Sequence, residues 1–221
     1  MCGRFVSDIS PQQLQEAYGL LSLPDITARY NIAPSQQVAV IRQNDAKQRE
    51  LALLKWGLIP PWAKDASIGY KMINARSETV YEKPSFRSAL KSRRCIFPVS
   101  GFYEWQKIGK EKVPHYIYLI DKAIMSLAGL WESWKSPEGV LIETCTILTT
   151  AANSSIKKIH DRMPVILHQD EIDIWLNKNV DDLDGLKELF HPYPSGLIQE
   201  HVVSKEVNNP KNDQPTCINP V

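Results

Sequence analysis

Net charge is almost absent from this chain. Its 221 residues carry 26 Lys and Arg against 25 Asp and Glu, a formal charge of +1. Broad electrostatic adhesion to nucleic acid is therefore excluded, and any such contact must come from a local patch. No run approaches the ~20 apolar residues of a membrane span. The opening stretch, MCGRFVSDIS, lacks the apolar core of a signal peptide, so a cytoplasmic protein with no membrane partner is expected. Cysteine is scarce and scattered: Cys2, Cys95, Cys145 and Cys217 stand far apart and form no Cys-x-x-Cys pair. That removes the usual zinc signal, and no metal is expected. Disulfides are not expected in a reducing compartment either. Internal repeats, low-complexity tracts and long linkers are also missing.

A hydrophobic fraction of 43% suits a packed core, and the length suits one domain over 1–221. Ser10 to Leu21 reads as a helix. Ser10 caps it, Pro11 suits the first turn, Gln13 completes a capping box, and Leu14, Ala17, Tyr18 and Leu21 share a face. Runs at 37–42, 51–58, 94–99, 115–120, 124–130, 140–149 and 163–167 predict strands, being rich in β-branched and aromatic residues between turn signals. Two further helices are expected at 170–178, lined by Ile172, Trp175 and Leu176, and at 181–190, lined by Leu183, Leu186 and Phe190. The expected fold is α+β: a single β-rich domain of many short, mostly antiparallel strands with a few peripheral helices. Cys95 and Cys145, in apolar strand-like runs, read as inert core thiols.

Several polar residues interrupt apolar runs. They are Asn74, Arg76 and Glu78 in MINARSET, Glu104 in GFYEW, and His160, Asp161 and Arg162 in KIHDRMP. Charge beside buried aromatics has to be paired or functional. Arg76 and Glu78, two apart on a strand, would face the same way and pair with each other. Taken singly, each of these residues reads as a salt bridge or a turn residue.

Cys2 differs by position. A small second residue allows removal of Met1, which would leave a thiol and a free α-amine on adjacent carbons. An α-amine has a reference pKa of about 7.7–8.0, so much of it is nucleophilic at neutral pH, whereas lysine at about 10.4 would need strong perturbation. Amines attack aldehydes to give imines, and a neighbouring thiol can then close a five-membered thiazolidine. Read alone, Cys2 is equally a small hydrophobe that begins a strand.

The motifs taken in order, MCGRF, RYNIAPSQQV, WGLIPPWAKD, INARSET, FPVSGFYEW, LTTAAN, IHDRMPVIL and VNNPKNDQPTCINPV, run from the first residue to the last. Together they resemble the SRAP family of abasic-site processing proteins. The resemblance implies thiazolidine cross-linking of an N-terminal cysteine to the ring-opened sugar of an abasic site in single-stranded DNA. It also implies lyase-type Schiff-base chemistry, removal of Met1 either by the protein itself or by a separate aminopeptidase, a link to the SOS response, no cofactor, and a monomer. It assigns Cys2 as nucleophile and Asn74 to holding the N-terminus and sugar. Glu104 moves protons at the amine, and His160 assists ring opening. Arg4, Arg76 and Arg162 grip phosphates, and Thr149, in LTTAAN, is placed with this DNA-binding set. Trp62 and Trp105 are candidates for stacking beside an unstacked strand, although Trp105 reads equally as core.

Two other classes compete. Glutamine amidotransferases with an N-terminal nucleophile also begin Met-Cys-Gly, but there a small-residue strand follows, where Arg4 and Phe5 stand here. A non-enzymatic single-strand-binding module would need aromatic platforms but no free Cys2 amine.

Overall fold

A computed structural model describes residues 2–121, 123–178 and 183–221. Strands outweigh helices in the described chain. In order, the strands are β1 (Phe5–Ser7), β2 (Arg29–Ile32), β3 (Gln37–Gln43), β4 (Arg49–Trp56), β5 (Asn74–Arg76), β6 (Arg94–Val99), β7 (Gly101–Ile108), β8 (Glu111–Leu119), β9 (Met125–Lys135), β10 (Leu141–Ala151), β11 (Arg162–Pro164), β12 (Ile166–Leu167) and β13 (Ile198–Val202). The helices are short: α1 (Pro11–Tyr18), α2 (Arg87–Ser92), α3 (Glu171–Leu176) and α4 (Leu183–Lys187). This is the expected α+β, β-rich architecture.

The strands form two sheets. One runs β13-β8-β7-β1-β2, antiparallel throughout. The other runs β11-β10-β4-β3-β6-β9-β12, and an added β9–β10 pairing closes β10-β4-β3-β6-β9 into a ring. Among the described residues, only β4 and β5 pair in parallel, both with β10. Side-chain alternation sorts the core. On β6, Cys95, Phe97 and Val99 face the first sheet, meeting Phe5, Phe102 and Ile117. Ile96 faces the other way, toward Tyr18, Leu90 and Trp175 on the helices. Both faces of β6 are buried, which is why its sequence is one continuous apolar run. The outer face of the five-stranded sheet packs Val6, Tyr103 and Tyr116 against Val203 and Val207.

α1 starts as expected. Gln13 N donates to Ser10 Oγ at 3.2 Å, and Ser10 N donates to Gln13 Oε1 at 2.9 Å. It ends earlier than expected, because Gly19 turns into the left-handed region at φ 62°, a C-terminal cap that glycine takes at no steric cost. Leu21 therefore leaves the predicted apolar face and is 74% exposed. α3 buries Ile172, Trp175 and Leu176 as expected. The predicted 181–190 helix spans only Leu183–Lys187, with Leu186 buried; 181 and 182 lie outside the described residues. Cys95 and Cys145 are buried, and burial pushes both thiols well above their ordinary range. Among the described residues no helix is long and apolar enough to cross a membrane.

Gly57 and Gly69 fasten the loop that carries Trp62. Gly57 sits at φ 129°, and a Cβ there would lie 2.7 Å from the Gly69 carbonyl oxygen. Only glycine permits this backbone contact.

Candidate active site and nucleic-acid interface

The chain enters β1 from Cys2, and the register of β1 on β7 decides what Cys2 meets. Phe5 opposes Phe102, and Tyr103 N donates to the Arg4 carbonyl at 2.9 Å. This alignment carries the N-terminal residues along β7 toward Glu104. Cys2 is fully buried in the core between the sheets. Burial first, and the Glu104 carboxylate second, push its thiol far above its ordinary range. The thiol is thus held protonated rather than as a thiolate.

β5 contributes the second contact. Asn74 pairs with Ile147 of β10, and its Nδ2 donates to the Cys2 carbonyl at 2.9 Å. Asn74 Oδ1 is buried without a hydrogen-bond partner among the described residues. Glu104 is 3% exposed. It lines an open cleft of about 520 Å³ with Trp105, Lys112, His160 and Asn208. Nδ1 of His160 accepts from Arg162 N at 3.0 Å and lies 2.9 Å from an Asp161 carboxylate oxygen. One atom cannot serve both at once. The Asp161 side chain is 85% exposed and well screened, so the backbone bond is the stronger of the two.

A second group lies further along β5, on its β10 neighbour and on β11. Arg76 opposes Thr149, which in turn opposes Pro164; Arg162 opposes Ala151. Arg76 is exposed. Thr149 is fully buried; its Oγ1 donates to Ala75 O at 3.5 Å and accepts from Arg162 Nη2 at 3.3 Å. Arg162 forks both η nitrogens onto the Glu78 carboxylate. These bonds hold the Glu78 carboxyl below its usual range against partial burial. The expected pairing of Glu78 with Arg76 is therefore corrected. β5 ends at Arg76 and the chain turns, so Glu78 leaves the strand's alternation and meets Arg162.

Two predicted residues stand apart. Arg4 donates from Nη1 to Asn31 Oδ1 at 2.7 Å and to Val207 O at 2.6 Å, with its guanidinium 5.8 Å from the Trp105 ring centre. Trp62 is 57% exposed on the loop after β4, where the carbonyl of the next residue, Ala63, accepts from Trp134 Nε1 at 2.8 Å. Trp105 Nε1 donates to Asn208 Oδ1 at 2.7 Å.

Sequence reading missed the C-terminal wall of the site. Asn31 Nδ2 reaches the carbonyls of Val207, Asn209 and Asn212, and Asp213 accepts from Tyr30 N and Asn31 N. The only signal for it was the polar, turn-rich VNNPKND stretch. His115, treated below, was also missed.

The strand-rich fold and the buried Cys2 beside the cleft fit a known class. The chain belongs to the SOS response associated peptidase (SRAP) family, whose model matches residues 1–210. Abasic site processing protein YoqW of Bacillus subtilis is 46% identical over 99% of both chains. Abasic site processing protein HMCES of Xenopus tropicalis is 32% identical over 99% of this chain and 78% of its own. A crystal structure of a Bacteroides thetaiotaomicron protein, 29% identical, superposes with a TM-score of 0.90 over all of both chains.

Proposed function

We propose that this protein forms a covalent thiazolidine cross-link between Cys2, exposed as the N-terminal residue by loss of Met1, and abasic sites in single-stranded DNA. The observation that carries the reading is the buried Cys2, tied through its carbonyl to Asn74 and lying beside Glu104. The relatives named as abasic site processing proteins support the substrate class.

A closed abasic sugar opens when its C1′–O4′ bond breaks, as the C1′ hydroxyl loses a proton and O4′ gains one. His160, in the cleft, suits that transfer. The α-amine then attacks the aldehyde carbon. Glu104 relays the first amine proton to the new alkoxide, giving the carbinolamine, and the second to its hydroxyl as that leaves as water. The Cys2 sulfur adds to the resulting imine carbon, and its proton passes to the ring nitrogen. A thiol held protonated favours this order, with the amine first and sulfur second. The buried, unpartnered Oδ1 of Asn74 costs about 1–3 kcal/mol, which a donor from the free amine or a sugar hydroxyl would offset.

Arg76 takes a flanking phosphate, and Arg162 does so once released from Glu78. Thr149 serves the DNA by orienting Arg162. Arg4 acts by holding Trp105 and the C-terminal wall beside the strand, and Trp62 stacks on a base. The protein acts as a monomer, without cofactor or metal. The family's description as a peptidase supports self-removal of Met1; intact mass after expression with aminopeptidase inhibited reads this directly.

The test is a denaturing gel of protein mixed with single-stranded oligonucleotides, one abasic and one intact. An adduct that survives boiling in detergent is expected only with the abasic strand. Equal labelling of both, or of neither, overturns the proposal.

A further inference from the structure

On the inner face of the five-stranded sheet, a polar row runs on from Glu104 into residues that the chemistry above leaves unused. Glu104 on β7 directly opposes His115 on β8, and side chains so opposed stand with Cβ atoms about 4.5–5.5 Å apart. Glu200 on β13 is the diagonal neighbour of His115 on the same face. His115 Nδ1 lies 2.7 Å from Glu200 Oε2, and Lys158 Nζ donates to Glu200 Oε1 at 2.8 Å.

A carboxylate on Nδ1 keeps a proton there. Nε2 is the nitrogen left over, and it is buried with no hydrogen-bond partner among the described residues. An unpaired buried polar atom is costly. Apolar neighbours on the same face, Phe102 and Ile117, pack without that cost, so packing alone does not account for an imidazole here. Burial opposes ionisation of Glu200, but the bonds from Lys158 and His115 outweigh it and hold its carboxyl below the usual range. A full negative charge therefore backs the ring.

The charged and titratable groups around His115 are few. Glu104 comes from β7, Glu200 from β13, and Lys158 and His160 from the segment between β10 and β11. Lys112 stands at the cleft rim, and Cys2 at the start of the chain.

We propose that His115 is a positioning residue for the cross-linking reaction, with Nε2 facing the Glu104 carboxyl and Glu200 fixing the ring from behind. Resting on the function proposed above, the role is simple. A ring carrying protons on both nitrogens sets a positive charge opposite the ionised Glu104 and keeps it a base until the amine surrenders its proton. A neutral ring removes that charge.

The test measures single-turnover cross-linking against pH at saturating protein, for wild type, His115→Phe, Glu200→Gln and the double variant, alongside melting temperatures. A nearby opposite charge is worth about 1–3 pH units to a carboxylate. Loss of the cation also raises the pH at which a neighbouring amine sheds its proton, so both groups move together. The acid limb of the His115→Phe profile is expected to move to higher pH by about one unit or more. Glu200→Gln, which barely changes volume, is expected to move it in the same direction. The double variant should move it no further than His115→Phe. If His115→Phe does not fold, Glu200→Gln alone decides. A fall in rate by one common factor at every pH, with the limb unmoved, overturns the proposal and leaves His115 as framework. A wild-type protein that makes no adduct overturns the function itself, and this role with it.

Discussion

Replacing Asn74 by alanine removes the donor that holds the reacting residue by its own carbonyl. The bond is 2.9 Å long and its acceptor belongs to a fully buried residue, so water does not readily take the place of the amide. Depriving a buried acceptor of its partner costs about 1–3 kcal/mol. If that loss falls on the transition state, cross-linking slows by about 5- to 150-fold. Single-turnover rates at saturating protein isolate this effect from binding, and affinity for intact single-stranded DNA should stay near wild type. Asn74→Asp sharpens the test. It keeps the shape but sets a carboxylate oxygen against a carbonyl oxygen, so at neutral pH it should be slower than Asn74→Ala. An Asn74→Ala protein that reacts at the wild-type rate would refute the reasoning, as would an aspartate variant faster than the alanine one.

Other outcomes follow from the same geometry. A tag retained before Met1 should abolish the adduct while leaving the melting temperature unchanged; adduct from a protein shown by mass to start before Cys2 would point to another nucleophile. Glu104→Gln and His160→Gln should lose about 10²–10⁴-fold in rate with single-strand affinity retained. Arg76→Ala should instead weaken binding and reduce its log–log salt slope by about 0.7. Glu78→Gln should free the Arg162 fork and tighten single-strand binding, as read by fluorescence anisotropy. Glu78 has a depressed carboxyl pKa, so its pairing stabilises the fold above the ordinary carboxylate range, near pH 4.3, and is lost as pH falls through the depressed value. The side chain is 51% exposed, which limits the effect to under about 1 kcal/mol. The variant should therefore melt slightly lower at neutral pH and lose less on acidification; an acid loss equal to wild type would show the pair contributes nothing.

What was legible in the sequence was whatever rests on local pattern. β6 is apolar on both faces and reads as strand; the Ser10–Gln13 box marks the start of α1. Residues 101–108 resisted, because Glu104 falls on an inner position where alternation demands an apolar residue. That departure is the same feature that makes Glu104 a site residue. Glu78 resisted for another reason: its partner Arg162 lies 84 positions away, and no local period encodes that distance. His115 sits in a correctly expected strand, yet its significance depends on a neighbour across the sheet and another beyond it. Among the candidate residues, the motifs brought Cys2, Asn74, Glu104 and His160 to attention one at a time. Only the register of β1 on β7, which no local pattern encodes, carries the chain start toward Glu104.

Arg4 is tied to Val207 across 203 positions of chain, and this fixes an order of events during synthesis. Cys2 leaves the ribosome long before Val207, Asn208 and Asp213. Until that wall is made, Arg4 lacks its Val207 partner and Trp105 its Asn208 partner. The cross-linking proposed above would have to wait for it, so a premature stop just before Val207 is expected to silence that chemistry while leaving Cys2, Asn74, Glu104 and His160 in the chain.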